Sequence, residues 1–278
     1  MDLKLMLQNA IRLPHQQIQQ FSSLRSAIHN ELAEPSQAMG VPSATLPRLT
    51  GIIKGLRRGE LSIVTGPTGS GKTSFLSQLS IDYCMQGVPT LWGSFEIKNT
   101  RLAKKMLGQF AGKDFAADMN EFHEWADRFE QLPMYFLKFF GSTKVELALD
   151  AMEHAVYVND VEHIILDNLQ FMTSGQGRGF ERFEVQDRAI ELFRGFASEK
   201  NVHITIVIHP RKEDDDAPLM TSSVLGTAKA TQEADNVIIL QKGKHYRYLD
   251  VKKNRFDGEL GTVPYRFEKP TGRVRSGR

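Results

Sequence analysis

Residues 61–73 read Leu61-Ser62-Ile63-Val64-Thr65-Gly66-Pro67-Thr68-Gly69-Ser70-Gly71-Lys72-Thr73. A short apolar run gives way to a glycine-rich turn that ends in Lys-Thr. Residues 66–73 fit G-x-x-x-x-G-K-[ST], the pattern of a loop that cradles phosphates. Each position has a physical reason. Glycine lets the backbone turn so that its N–H groups point inward at an anion. A helix starting at Lys72 adds the positive end of its dipole. The Lys72 ammonium neutralises β- and γ-phosphates, and the Thr73 hydroxyl is a Mg²⁺ ligand. The nucleotide-binding set is therefore Gly66, Pro67, Thr68, Gly69, Ser70, Gly71, Lys72 and Thr73, with the adjoining Ser74.

Outward from this stretch, strands and helices alternate. The helix after the loop runs to about Met85. Strand patterns follow at Thr90–Glu96, Met134–Phe139, His163–Asp167, His203–Ile208 and Asn236–Leu240, with two-residue alternation over Arg247–Lys252 and Val263–Phe267. Helical patterns fall at Thr100–Phe110, Glu121–Gln131, Thr143–Val158 and Glu181–Lys200. Short apolar strands alternating with helices mean an α/β fold, with a mostly parallel sheet covered on both faces.

A Mg²⁺ site needs a carboxylate at the end of a neighbouring strand. Asp167 closes the apolar strand Ile164-Ile165-Leu166 and is the candidate, with Thr73 as the second metal ligand. Hydrolysis also needs a group to orient or deprotonate water. Glu96 ends the strand after the first helix, at the carboxyl edge where ligands bind in such sheets.

Composition sets outer limits. The chain has 278 residues, 41% hydrophobic and 24% charged, which excludes a disordered chain, a coiled-coil rod and a collagen-like repeat. No run reaches the roughly 18 apolar residues of a membrane helix. Net charge is +2, which argues neither for nor against a polyanionic partner. Cys84 is the single cysteine, so an internal disulfide is excluded and a reducing compartment is the natural reading. Residues 3–30 hold no Asp or Glu, a composition shared with organelle transit peptides. Ile18, Phe21, Leu24, Ile28 and Leu32, however, recur every three or four residues and favour a packing helix. Residues 34–50 contain three prolines and read as a linker. The expected division is residues 1–50 as helix and linker, 51–270 as catalytic domain, and 271–278 as a basic tail.

A phosphate loop followed by a strand ending in Glu is similar to RecA-like ATPases. The chain further resembles hexameric replicative helicases of the DnaB and phage primase-helicase type. Trp92–Glu96, Asp167–Met172, His209–Asp216, Gln232–Asn236 and Lys253–Gly258 resemble in particular the Twinkle-type mitochondrial replicative helicases. The resemblance covers about residues 20–270 and lacks that family's primase-like half, so the chain reads as a helicase domain alone. It implies a RecA-like P-loop NTPase core with an N-terminal linker helix. It also implies ATP or another NTP with Mg²⁺, a hexameric or heptameric ring, and 5′-to-3′ movement on single-stranded and fork DNA. Expected partners are a polymerase and a single-strand binding protein, in the mitochondrial nucleoid. Carried over residue by residue, Glu96 is the catalytic base and His209 the γ-phosphate sensor. Gln232 is a polar γ-phosphate contact. Arg255 is an arginine finger reaching a neighbouring subunit, with Lys253 beside it, and Phe267 stacks on the base.

DNA contact needs basic side chains that track phosphates. The candidates are Arg178 and Arg182 in one glycine-containing loop, and Arg211, Lys212 and Lys229 flanking a second loop with an acidic middle. Two other readings fit the same loop and acids: a recombinase-like DNA-dependent ATPase, and an ATP-switched strand-annealing module.

Overall fold

The computed structural model describes residues 18–177, 181–210, 218–224, 228–243 and 246–277. The chain divides into two compact units, Met1–Met39 and Gly40–Arg278. In the first, helix α1 (Phe21–Ala33) is followed by a 3₁₀ turn, Pro35–Ala38. Phe21, Leu24, Ile28 and Leu32 on α1 are all exposed.

The second unit contains α2 (Pro47–Ile53), β1 (Leu61–Thr65), α3 (Lys72–Met85), β2 (Thr90–Ser94), α4 (Asn99–Ala111), α5 (Phe122–Glu130), β3 (Met134–Phe136), α6 (Val145–Asn159) and β4 (His163–Asp167). It continues with α7 (Leu169–Met172), α8 (Glu181–Lys200), β5 (His203–Val207), α9 (Lys229–Glu233), β6 (Asn236–Lys242), β7 (Arg247–Asn254), β8 (Gly261–Glu268) and β9 (Arg273–Ser276). One nine-stranded sheet runs in the order β3-β2-β4-β5-β1-β6-β7-β8-β9. β3 through β6 pair in parallel and β7, β8 and β9 extend the sheet antiparallel.

β1, β2, β4 and β5 are buried along their whole length, because helices cover both faces. One core joins the sheet to α6, α7, α8 and α9 through Met152, Leu169, Phe193 and Ala230. The other joins the opposite face to α2, α3 and α4 through Leu49, Phe75 and Met106. No helix among the described residues is long and apolar enough to cross a membrane.

The observed elements follow the alternation, with three differences. The segment expected as linker up to residue 50 is core from Gly40 onward: Leu46, which caps α2, and Leu49, within it, are buried. Pro47 starts that helix, where its missing N–H costs nothing. The segment expected as a basic tail supplies β9, whose Val274 is buried while Arg275 is exposed. β2 and β5 end at Ser94 and Val207, so Glu96 and His209 each lie two residues beyond a strand.

Candidate nucleotide and hydrolysis site

Four adjacent strands, in the order β2-β4-β5-β1, deliver the expected groups to one edge of the sheet. β1 leads into the phosphate loop. Glu96 follows β2, Asp167 ends β4, and His209 follows β5. Register fixes their levels: Ser94 pairs with Asp167, and Val64 with Val207. The Phe95 N–H donates to the Asp167 carbonyl at 2.7 Å, which ties the two acidic strand ends together.

The loop has the backbone its glycines allow. Gly71, at φ 95°, caps α3 in the left-handed region. A Cβ on Gly66 would meet the Leu240 carbonyl oxygen at 2.8 Å, so no other residue fits there without moving β6. Lys72 Nζ donates to the carbonyls of Gly66 at 2.7 Å and Pro67 at 3.1 Å. Burial lowers the Lys72 pKa, with Asp167 and Glu96 opposing.

Thr73 Oγ1 donates to Asp167 Oδ2 at 2.6 Å, so the two expected metal ligands are in contact. Asp167 is buried, which pushes its pKa up to about 6. Thr73 opposes the rise, Glu96 adds to it, and Lys72 and Lys105 oppose it. A hydroxyl beside a carboxylate is an all-oxygen donor pair suited to Mg²⁺. Its buried negative charge is what a dication would offset. Among the described residues no cluster of three or more His, Cys, Asp or Glu residues forms another metal site.

Glu96 and His209 are linked by a residue the sequence did not single out. Asn168 Nδ2 donates to Glu96 Oε2 at 2.5 Å and to His209 Nε2 at 2.9 Å. Its Oδ1 accepts from the Phe171 N–H at 3.0 Å, which fixes the amide. Burial and the Lys72 charge keep His209 below its usual pKa, so the ring is neutral at pH 7 and its Nε2 accepts. Asn168 follows Asp167 directly, and that adjacency was the only signal in the sequence. Arg247 was also missed: Nη1 donates to the Ser70 carbonyl at 3.0 Å, and its guanidinium lies 5.9 Å from the Phe267 ring centre. Phe267 and Ser74 line one cleft, of about 250 Å³, which brings the expected base-stacking ring to the start of α3.

Gln232, Lys253 and Arg255 are not at this edge. They lie at the opposite end of β1, about 13 Å away along five residues of strand. There buried Asp235 accepts from the Leu61 N–H at 2.8 Å, Arg194 Nη1 at 2.8 Å and Arg255 Nη1 at 3.1 Å. Arg255 Nη2 and Lys253 Nζ both donate to the Gln232 carbonyl, at 2.8 and 2.9 Å, at the C-terminus of α9. Gln232 is exposed there, so the expectation that it touches γ-phosphate does not hold for its own chain. Arg255 and Lys253 thus lie away from the phosphate loop of their own chain, and Arg255 is paired with Asp235.

Of the DNA candidates, Arg178, Arg211 and Lys212 lie outside the described residues. Arg182 is exposed on the first turn of α8, 4.7 Å over the Phe183 ring. Lys229 pairs with Glu191 and Glu233 of its own chain.

A family model described as AAA domain matches residues 29–215, more than half of the chain. The DNA helicase/primase of Enterobacteria phage T3 is 22% identical over 243 residues, covering 78% of this chain and 42% of that protein. The chain thus spans less than half the length of this relative. Among solved structures, the ATPase domain of G40P superposes with a TM-score of 0.79 at 16% identity, covering 92% of this chain and 99% of the other. A DnaB-like replicative helicase, described with its interactions with primase, gives 0.77 at 16% identity over 99% of this chain and 70% of the other. The likeness to these structures is one of fold: a RecA-like ATPase core.

Proposed function

The chain belongs to the AAA domain family, and from that premise we propose that it is the motor domain of a replicative DNA helicase. It hydrolyses ATP or another NTP between neighbouring copies in a ring and moves 5′ to 3′ on single-stranded DNA to open a fork. One observation carries this reading: the hydrolytic groups lie on one edge of the sheet, while Arg255 lies on the other. Arg255 therefore cannot serve the γ-phosphate of its own copy, and on this reading a head-to-tail neighbour supplies it.

The roles follow from position. Lys72 and the N–H groups of the loop hold the β- and γ-phosphates. Thr73 and Asp167 are the residues that would hold Mg²⁺, whose charge, when bound, stabilises negative charge on the β–γ oxygens. Glu96, 40% exposed and beside Asn168 and His209, presents a carboxylate able to take a proton from the attacking water. That water forms the new P–O bond as the β–γ bridging oxygen leaves with its electron pair. Asn168 couples Glu96 to His209, and so to the chain after β5 that leads to residues 211–217. Arg255 of a neighbour meets charge on the transferring phosphoryl group, an effect worth about 10³–10⁵ in rate.

Ring form, direction, the mitochondrial nucleoid and partners such as a polymerase and a single-strand binding protein rest on the resemblance of the quoted strings. The exposed apolar stripe of α1 suits docking on an adjacent subunit. The test is ATP hydrolysis with and without single-stranded DNA, measured beside the mass in solution. DNA-stimulated turnover in a ring-sized species supports the reading. A monomer that hydrolyses ATP briskly without DNA overturns it.

A further inference from the structure

Helix α4 carries Arg101, Lys104 and Lys105 and no acidic residue. It packs beside α3, the helix that the phosphate loop opens. Lys104 is exposed, but Lys105 is partly buried and turned inward. Its Nζ donates to Ser74 Oγ at 3.1 Å, and Ser74 is itself buried in the first turn of α3.

Within the fold alone this is a poor place for an ammonium group. The free N–H groups at a helix start carry about half a positive charge. Lys72 opens the same helix. Among the described residues Lys105 forms no ion pair, and its hydrogen bond is to a neutral hydroxyl. Burial lowers its pKa; Asp167 opposes and Arg101 adds to the lowering. Asp167, itself engaged by Thr73, meets this charge in part, and an anion that enters the site beside Ser74 would complete the match.

The cleft beside it indicates which anion. Lys72 and Thr73 face the terminal phosphates and the metal position. Ser74 is one residue further along the helix, and it shares a cleft of about 250 Å³ with Lys105, Gly108 and Phe267. A nucleotide with its terminal phosphates in the loop and its base at Phe267 must pass its α-phosphate between them, next to Ser74. Resting on the nucleotide reading above, we propose that Lys105 is a second phosphate-binding lysine. It closes on the α-phosphate and holds it against the first turn of α3.

The two lysines then divide the nucleotide between them. Lys72 responds to the terminal phosphates and so to the progress of hydrolysis. Lys105 grips a group that ATP and ADP share, so it holds the nucleotide equally before and after the γ-phosphate leaves. That gives a signature that a structural contact lacks.

The experiment measures Mg-ATP, Mg-ADP and AMP binding by calorimetry to the full chain and to Lys105→Ala, Lys105→Arg and Lys72→Ala variants. Urea midpoints without nucleotide are measured alongside. Losing a charge-assisted hydrogen bond predicts that Lys105→Ala weakens ATP and ADP by the same factor, about 10- to 100-fold. AMP falls with them, and Lys105→Arg recovers most of the loss. Lys72→Ala weakens ATP more than ADP. With nucleotide absent, Lys105→Ala leaves the urea midpoint unchanged or raises it, since an unmatched cation is removed. The proposal is overturned if Lys105→Ala binds ADP like the parent chain, if only ATP is weakened, or if its sole effect is a lower midpoint. If the parent chain binds no Mg-nucleotide, the nucleotide reading itself fails, and this result is distinct from the other three.

Discussion

Acid should act on this fold through two buried sites of opposite sign, and replacing Asp167 by Asn should separate them. Burial raises the Asp167 pKa from 3.8 to about 6. A carboxylate with a raised pKa destabilises the fold where it is ionised, and the cost disappears as pH falls through the folded and then the unfolded value. From these values the cost is about 3 kcal/mol at pH 7.5, and roughly half of it is relieved by pH 5. His203 works the other way. Burial lowers its pKa from 6.5 to about 4, so its contribution is complete above 6.5 and drains away as pH falls towards 4. By pH 5 that loss is about 2 kcal/mol. Buried His163, in edge contact with His203, is lowered too and adds a loss of the same sign. The parent chain should therefore lose stability on mild acidification, but by less than the two histidines alone would cost, because Asp167 offsets part of their effect. Asp167→Asn keeps an acceptor for Thr73 but cannot titrate. It should be more stable than the parent at pH 7.5, by up to about 3 kcal/mol, and should lose stability more steeply by pH 5. Urea unfolding without nucleotide at both pH values, read as midpoints at constant slope, checks this. A variant no more stable than the parent at pH 7.5, with the same acid response, would refute the assignment of cost to the buried carboxylate.

Three further outcomes follow from the site. Glu96→Gln should bind Mg-ATP with unchanged affinity while single-turnover hydrolysis falls by about 10²–10⁴, the range for removing a general base; equal loss of binding would make Glu96 a ligand instead. Arg255→Ala should keep nucleotide binding and lose hydrolysis by about 10³–10⁵. Mixing it with Lys72→Ala subunits should restore part of the activity, and absence of rescue would count against a role in trans. Arg247→Ala removes the contact to the Ser70 carbonyl and the cation beside Phe267. It should raise the KM for ATP about tenfold with kcat little changed, and a change confined to kcat would place Arg247 outside the binding step.

How much of this was legible depends on whether the signal was local. The phosphate loop was readable because backbone turn, helix start and charge all fall within residues 66–73. Asp167 was readable because it ends an apolar strand. Asn168 and Arg247 were not, since an amide after an Asp and an arginine in an alternating strand are ordinary until strand order places them beside Glu96 and Ser70. Gln232 shows the converse. Its string carried a role by resemblance, yet only the pairing of β6 with β1 reveals that it stands at the far edge. The pairing of Lys229 with Glu191 was not legible, because Glu191 lies on another helix, beyond any sequence window. Residues 271–278 looked like a tail because a four-residue strand with three polar outer residues has too short a period to read.

The far edge also explains how neighbouring sites would answer one another. Asp235 binds Arg255 with one carboxylate oxygen and the Leu61 N–H with the other. Leu61 begins the strand that ends in the phosphate loop. That strand is buried throughout and paired on both sides, with β5 and β6. Packed interiors shift as bodies and do not deform smoothly. On the proposed reading, a pull on Arg255 by a neighbour's nucleotide would therefore reach Gly66 along a single rigid element, through one carboxylate. Arg194 on α8 shares that carboxylate. The helix that follows the first candidate DNA loop is thus anchored at the same point, so DNA, arginine finger and phosphate loop would converge on Asp235.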